Sequence, residues 1–212
     1  MLNATPAAER AYAHVKARII SGEFPDTTML SEGEVAEALG LSRTPIHEAF
    51  LRLEVEGFLK LYPKRGALVV PINQEDIREV YEARELVESH CAAQICAMPQ
   101  RHREDVAALL EGIIVKQRAA LDHHNLAGYT ELDAVFHQTV MDHGGNSLLA
   151  QMGHLLRERQ QRFTATAIGR NVERAYEFVD GHTQLAVALA AGDADAYATI
   201  LTDHLNHSRN QL

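Results

Sequence analysis

The spacing of apolar positions divides the chain into two unlike parts near residue 72. Before that point, short stretches with helical periodicity are followed by two short apolar stretches around Pro63-Lys64-Arg65-Gly66, which is typical of a hairpin. The predicted elements are helices at about 6–21, 32–39 and 43–57, then strands at about 58–62 and 67–70. Three short helices followed by a hairpin predict a small winged helix-turn-helix.

The turn residues agree with these helix bounds. Ser31 and Glu34 have the Ser-x-x-Glu spacing of a capping box, so the second helix is expected to begin there. Gly40 is placed to end that helix, and Ser42 is placed to cap the third. Pro45 falls within the first turn of the third helix, where a missing N–H is tolerated.

After Asn73 the strand signals disappear and helical periodicity continues to the end of the chain. The breaks in this pattern include Pro99, Gly144-Gly145, Gly169 and Gly192. They separate six predicted helices, at roughly 74–97, 102–121, 126–142, 147–168, 171–190 and 194–209. The predicted fold is mainly α, with a winged helix-turn-helix in residues 1–72 and an all-helical bundle in residues 73–212.

Composition narrows the class of protein. The hydrophobic fraction is 46%, which excludes a disordered chain. No apolar run approaches the ~18 residues of a membrane span, and no signal-peptide pattern is present. The expectation is a cytoplasmic protein without a membrane partner. Cys91 and Cys96 lie in an apolar stretch and fit neither a CxxC motif nor a disulfide framework, so they are expected to be buried apolar groups.

Charge is distributed unevenly between the two parts. The chain carries 29 acidic and 20 basic residues, a net charge of −9. Residues 1–72 hold 9 acidic and 8 basic residues, whereas residues 73–212 hold 20 and 12. The overall acidity therefore belongs to the helical part, and it does not exclude nucleic-acid binding by the N-terminal part.

The N-terminal part has side chains suited to contact DNA. Ser42, Arg43 and Thr44 begin the third helix, where an arginine fork can reach a guanine edge and hydroxyls can meet phosphates. Lys64, Arg65 and Gly66 form the tip of the wing, where basic charge and an open backbone favour phosphate contact. The alternative is a structural three-helix module with a solvated basic hairpin.

The helical part contains a candidate metal site. Asp133 and His137 are spaced i, i+4 on one helix, and His182 and His204 lie on two later helices. A bundle can direct all four side chains inward, and one oxygen with three nitrogens suits Zn²⁺, Ni²⁺ or Mn²⁺. The alternative is a set of ordinary buried histidines with hydrogen-bond partners.

Two arginines interrupt apolar stripes of the predicted helices. Arg84 lies among Val80, Tyr81 and Val87, and Arg159 follows Leu148, Met152 and Leu155. A buried cation needs a partner. The partner of Arg84 is either an internal carboxylate, with Glu88 or Glu85 as candidates, or the carboxylate of a bound ligand.

Several segments together resemble the DNA-binding domain of the GntR family. They are Tyr12-Ala13-His14-Val15-Lys16, Ile20-Ser21-Gly22-Glu23-Phe24, Leu30-Ser31-Glu32, Ser42-Arg43-Thr44-Pro45, Leu53-Glu54-Val55-Glu56-Gly57 and the Arg65-Gly66 wing. The resemblance implies DNA contacts at Ser42, Arg43, Thr44 and Gly66. The chain departs from the family pattern at Asp26-Thr27-Thr28-Met29, which lacks Pro-Gly, and at Gly33 and His47, where arginines are common.

The helical remainder resembles the FadR-type effector domain, also called FCD, of the same family. That resemblance implies that Asp133, His137, His182 and His204 bind one divalent cation and that Arg84 anchors an organic acid, with Arg159 a looser match. It further implies a homodimeric regulator of a near-palindromic operator, most often a repressor released by a small carboxylate. Two other hypotheses stay open: a regulator that responds to the metal itself, and, with less support, a metal-dependent enzyme.

Overall fold

The computed structural model describes the backbone of residues 6–168 and 173–210, and the side chains of these residues except 164–168, 173 and 174. Two compact units meet in sequence between Asn73 and Gln74, one residue after the boundary expected from the hydrophobic pattern. The first unit contains three helices and a small sheet; the second, over the described residues, is helical.

The N-terminal unit is a winged helix-turn-helix. Its helices are α1 (Ala7–Ile20), α2 (Glu32–Leu39) and α3 (Arg43–Val55), and its strands are β1 (Met29–Leu30), β2 (Leu59–Tyr62) and β3 (Gly66–Val69). Ser31 caps α2 by accepting a hydrogen bond from the Gly33 N–H, at 3.2 Å. Gly40 ends α2 in the left-handed conformation, with φ at 63°, as expected for a residue without a Cβ.

The sheet contains a strand that the hydrophobic pattern missed. β1 pairs antiparallel with β3, and β3 pairs with β2, giving the order β1-β3-β2. Two residues are too few to produce an alternating pattern, so β1 becomes visible only when β3 lies beside it. Gly66 begins β3 with φ at 104°, and a Cβ there would overlap the Leu30 carbonyl oxygen of β1. Glycine at the wing is therefore a steric requirement of the sheet.

The core of the N-terminal unit is apolar. Side chains from all three helices and the sheet meet there, among them Val15, Ile46, Phe50, Leu53 and Val69, each fully buried. The deeply buried charge of this unit is Lys16, whose Nζ lies 2.7 Å from Glu56 Oε2. The outward residues of α3 and of the β2–β3 turn are left for other contacts.

The second unit is a bundle of long helices. They are α4 (Gln74–Cys96), α5 (Gln100–Asp122), α6 (Leu126–His143), α7 (Ser147–Ile168), α8 (Glu173–Ala191) and α9 (Ala194–Arg209). The predicted break at Gly169, and a start of the fifth predicted helix at 171, lie outside the described residues. α5 packs against α6 and α8, while α4 packs against α7 and α9. None of the helices in the described ranges has an apolar stretch of the length that a membrane crossing requires.

Candidate metal centre and DNA-contacting surface

The four predicted metal ligands converge inside the helical unit. Asp133 and His137 come from α6, His182 from α8 and His204 from α9, and one donor atom from each lies within 4.8 Å of the others. Their exposed fractions are 0% for His182, 2% for His137, 7% for Asp133 and 9% for His204. The structure thus brings together all four residues that the sequence selected.

Two of the separations between donor atoms match those of ligands bound to one ion. The Nε2 atoms of His137 and His182 are 3.3 Å apart, and His182 Nε2 is 3.5 Å from Asp133 Oδ1. Tetrahedral ligands bound at about 2.1 Å from zinc stand about 3.4 Å from one another. These distances fit a small divalent cation held between the side chains.

Neighbouring polar groups orient the ligands. His137 Nδ1 lies 2.9 Å from Glu88 Oε1, and the Tyr197 hydroxyl donates to the same oxygen at 2.9 Å. His182 Nδ1 donates to the amide oxygen of Gln117, at 2.9 Å. Gln160 donates to Asp133 Oδ2 at 3.3 Å. Partners of this kind fix which ring nitrogen carries the proton and raise the basicity of the other.

Hydrogen bonds around the cluster leave metal-binding donor atoms facing one another. Burial raises the pKa of Glu88, but the neighbouring His137 and Arg84 more than offset burial, so the pKa lies below its ordinary value. The ionised carboxylate therefore accepts the Nδ1 proton of His137. The Nδ1 contacts of both rings leave the Nε2 atoms of His137 and His182 facing each other, with Asp133 beside them.

Two histidines of the cluster resist protonation in the folded protein. Burial lowers the pKa of His182 well below its ordinary value, and the charges of His204, His137 and Arg84 lower it further. Burial likewise lowers the pKa of His204 well below its ordinary value, with His137 and Arg84 adding to the effect. Neutral imidazole is the form that binds divalent metals. The residues present therefore fit a metal ion better than an extra proton.

Arg84 is buried beside this cluster with its fork unsatisfied. The side chain is 1% exposed, and one terminal nitrogen lies 3.6 Å from Glu88 Oε2, too far for a hydrogen bond. Neither Nη1 nor Nη2 has a hydrogen-bond partner among the described residues. Glu85, the other candidate partner, instead accepts a hydrogen bond from Thr202 at 2.6 Å. Ion pairing with Glu88 is present but leaves the guanidinium donors available.

Arg159 differs from Arg84 in its surroundings, and the expectation of a second buried arginine is wrong. Arg159 is exposed, and Leu148, Met152 and Leu155 of the same stripe are 73%, 48% and 56% exposed. The inward face of α7 instead carries Leu149 and Leu156, packed against α4 and α6, and the buried Gln160. Apolar spacing located a stripe on α7 but not the side that faces the core. The effector role of Arg159 stays a prediction.

The predicted DNA contacts of the N-terminal unit share one exposed surface. Arg43 is the first residue of α3, and Ser42 before it is exposed and makes no side-chain capping hydrogen bond to the helix. A cleft of about 550 Å³ runs between α3 and the wing, lined by residues that include Arg43, Lys64, Arg65 and Gly66. Thr44 is exposed beside Arg43. The basic groups lie where a groove edge would meet both the helix and the wing.

Two of the three departures from the family pattern, Gly33 and His47, line this cleft. A Cβ built on Gly33 would lie 3.4 Å from Arg43 Nη2, so the missing side chain leaves room for the Arg43 guanidinium. His47 Nδ1 lies 2.7 Å from Glu32 Oε1 and links α3 to α2. The surface therefore keeps the guanidinium of Arg43. At position 47, where the family commonly has an arginine, it carries a histidine paired with Glu32.

Comparison with known proteins identifies both units. Residues 7–69 match the gntR family of bacterial regulatory proteins, and residues 79–207 match the FCD domain. The chain belongs to the GntR family. A relative from Streptomyces ambofaciens, described as an uncharacterized HTH-type transcriptional regulator in an unstable DNA locus, is 30% identical over 200 residues, 92% of this chain and 80% of that protein.

A further relative and a solved structure are similar to this chain over nearly its whole length. The HTH-type transcriptional repressor RspR of Escherichia coli K12 is 27% identical over 205 residues, 96% of this chain and 88% of that protein. The solved structure of E. coli McbR/YncC has a TM-score of 0.79 at 20% identity, covering 96% of this chain and 95% of that one. This GntR-family protein is a DNA-binding transcriptional regulator with an effector domain, and its relatives are regulators rather than enzymes.

Sequence reasoning missed three groups that position the ligands: Gln117, Gln160 and Tyr197. Gln117 had a usable signal, because it follows Leu110 and Ile114 at helical spacing on an apolar face of α5, as Arg84 does on α4. Gln160 and Tyr197 gave no comparable signal, since one lies beside polar residues and the other is an aromatic residue in an apolar stripe.

Proposed function

We propose that this GntR-family regulator is a cytoplasmic homodimer that represses transcription from a near-palindromic operator. Ser42, Arg43 and Thr44 read the major groove, and Lys64, Arg65 and Gly66 of the wing contact the flanking backbone. A small organic acid bound in the helical unit releases the operator. The observation that carries the ligand part of the proposal is the buried, unsatisfied Arg84 fork next to the four-residue cluster.

The metal part of the proposal rests on the donor set. Asp133, His137, His182 and His204 would hold one divalent ion, for which Zn²⁺, Ni²⁺ and Mn²⁺ are the candidates. The ion supplies positive charge to which a carboxylate oxygen can bind. Glu88, Gln117 and Gln160 keep the ligand side chains in their orientation and limit reorganisation on binding.

The effector part rests on complementarity. Nη1 and Nη2 of Arg84 present a planar pair of donors that matches the two oxygens of a carboxylate. Burying an arginine without full hydrogen bonding is costly, and a bound carboxylate removes that cost. Arg159 remains a predicted second contact. An acid that prefers the state with low operator affinity shifts the regulator toward that state by its difference in affinity for the two.

A thermal-shift screen of small organic acids tests the proposal. Tag-free protein with its metal content measured is expected to contain about one divalent ion per chain, and a matching acid raises its melting temperature. Arg84→Lys keeps the charge but removes the fork, so the shift is lost while metal content is retained. Arg78→Lys, on the exposed face of α4, makes the same substitution away from the cluster and is the matched control.

Two outcomes contradict the proposal separately. Purified protein without bound metal, which also fails to bind added Zn²⁺, contradicts the metal centre. An acid that stabilises wild type and Arg84→Lys equally contradicts the role of Arg84. The same acid should also reduce operator occupancy in a footprinting assay; increased occupancy contradicts release.

A second candidate function is metal sensing, favoured by four candidate protein donors, the number of ligands in a closed tetrahedral site. In that case the metal is the signal. Operator affinity then changes with the free concentration of Zn²⁺ alone, measured without any organic acid. Affinity that is the same with and without metal excludes this function.

A further inference from the structure

A surface cleft between α8 and α9 leads to one of the four ligands. Its volume is about 270 Å³, and its lining includes Phe178, Gly181, Gln184, Ile200 and His204. His204 is the most exposed of the four ligands at 9%, against 0% for His182 and 2% for His137. The cleft therefore connects solvent with the cluster at His204.

His204 is held differently from the other ligands. Asp133, His137 and His182 each have a side-chain hydrogen bond to a neighbouring side chain, whereas none is found for the His204 imidazole among the described residues. Its Nδ1 lies against Gly181, where a built Cβ would come within 2.9 Å. The absent side chain at Gly181 leaves space for the imidazole, and the ring remains buried by nine-tenths while lining the cleft.

The rim of the cleft carries the same donor types as the cluster. Glu177, Asp203 and His207 line it, and His207 Nε2 lies 3.4 Å from Glu177 Oε2. The Phe178 ring contacts both histidines, with ring centroids 5.5 Å from those of His204 and of His207. Phe178 thus contacts both a rim histidine and a candidate ligand.

We propose that this cleft is the port through which a divalent cation enters and leaves, with Glu177, Asp203 and His207 as a transient capture site that passes the ion to His204. The inference rests on the proposed metal centre. A buried site needs an access path, and carboxylates at a concave mouth raise the local concentration of cations. His204, without a fixed hydrogen-bond partner, is the ligand free to turn toward the incoming ion.

The port sets the rates of metal uptake and release and does not change the metal site itself. Rim residues meet the ion in transit and are not among the four ligands, so removing them slows uptake and release while leaving the bound state in place. Loss of a ligand, by contrast, lowers the amount of metal bound at saturation. This difference separates the port from the metal centre itself.

Metal uptake by chelator-treated protein tests the port. The triple variant Glu177→Gln/Asp203→Asn/His207→Ala is mixed with Zn²⁺, and uptake is followed by competition with a fluorescent zinc chelator. The expected rate is about tenfold lower than wild type, with the same metal content at saturation. The matched control, Asp105→Asn/Glu111→Gln/His102→Ala, changes the same residue types on the exposed face of α5 and should keep the wild-type rate.

A steric variant tests the route without changing charge. Ile200→Trp places a large ring in the lining of the cleft and should slow both uptake and release of Zn²⁺. Val187→Trp, at a position on α8 that is 64% exposed, should leave both rates unchanged. Agreement between the charge and steric variants supports the port.

The possible failures are distinguishable. Wild type that takes up no Zn²⁺ overturns the metal centre and the port together. Wild-type uptake with unchanged rates in both the triple variant and Ile200→Trp overturns the port alone. A triple variant with reduced metal content at saturation also overturns the proposal, since the rim would then belong to the binding site.

Discussion

The two units of this regulator place their polar side chains in opposite ways. Of the eleven buried polar or charged side chains among the described residues, Lys16 alone belongs to the N-terminal unit, and the other ten belong to the helical unit. The DNA-contacting candidates Ser42, Arg43 and Thr44 are exposed over an apolar core. The metal and effector candidates form the interior of the other unit.

This difference predicts how each unit responds to substitution. Exposed groups such as Arg43 do not support the core, so replacing them is expected to change DNA binding and to leave stability nearly intact. Buried groups such as His182 and Glu88 belong to one interacting network, so replacing them changes stability and ligand binding together. The predictions below test that separation.

The largest expected effect is the loss of metal-linked stability in the helical unit. Excess Zn²⁺ should raise the free energy of unfolding by about 3 to 4 kcal/mol when free metal is 100 to 1,000 times the Kd. His182→Ala removes a proposed ligand and should abolish that difference in stability. Urea denaturation with and without a chelator measures it. His154→Ala, an exposed change on α7, should retain the full difference; if it does not, the effect is not specific to the cluster.

The next effect concerns the surface of the N-terminal unit. Arg43→Ala should weaken specific operator binding by about 1 to 3 kcal/mol at each half-site, because the fork to a base edge is lost. Footprinting measures the affinity, and thermal unfolding should stay within about 0.5 kcal/mol of wild type. Lys64→Ala should weaken specific and non-specific DNA binding alike and reduce the salt dependence of the affinity. An Arg43→Ala protein with full operator affinity contradicts the recognition-helix assignment.

A smaller effect is expected from groups that orient the ligands. Glu88→Gln keeps the size of the side chain but removes the carboxylate that holds the His137 Nδ1 proton, so metal affinity should fall about 10- to 100-fold. Titration of apo protein with Zn²⁺ against a competing chelator measures the change. Glu85→Gln, one helical turn away and bonded to Thr202, is the matched control. Equal losses in the two variants would show a general effect of charge on α4.

The smallest effect is a difference in acid sensitivity between the two units of the metal-free protein. The folded-state pKa values of His182 and His204 are lowered, so below the ordinary histidine pKa of about 6.5 the unfolded chain binds protons that the folded chain does not. Stability from these residues is present above that pH and is lost as pH falls. Between pH 7 and 6 the helical unit should lose about 1 kcal/mol, measured by chemical denaturation. If His182→Ala loses as much stability on acidification as wild type, the loss does not come from this histidine.

The predicted elements and the candidate site agree with the structure to different degrees. Apolar periodicity located the helices of both units within a few residues, and the Asp-x-x-x-His spacing with two later histidines selected the four residues that converge. Arg84 was found because a charge in an apolar stripe needs a partner. The same argument failed for Arg159, since helical periodicity defines a stripe but not which of two adjacent faces is covered.

The sequence by itself determined the two-part architecture, the family and the residue types of the candidate sites, because these depend on local periodicity, turn residues and motif spacing. Only the tertiary structure decided what lies beside each group. The pairing of β1 with β3, the choice of Glu88 over Glu85 beside Arg84, and the contacts of Gln117, Gln160 and Tyr197 all join residues distant in the chain or dependent on helix rotation. Burial and hydrogen bonding are set by packing between helices, and local spacing carries no record of that packing.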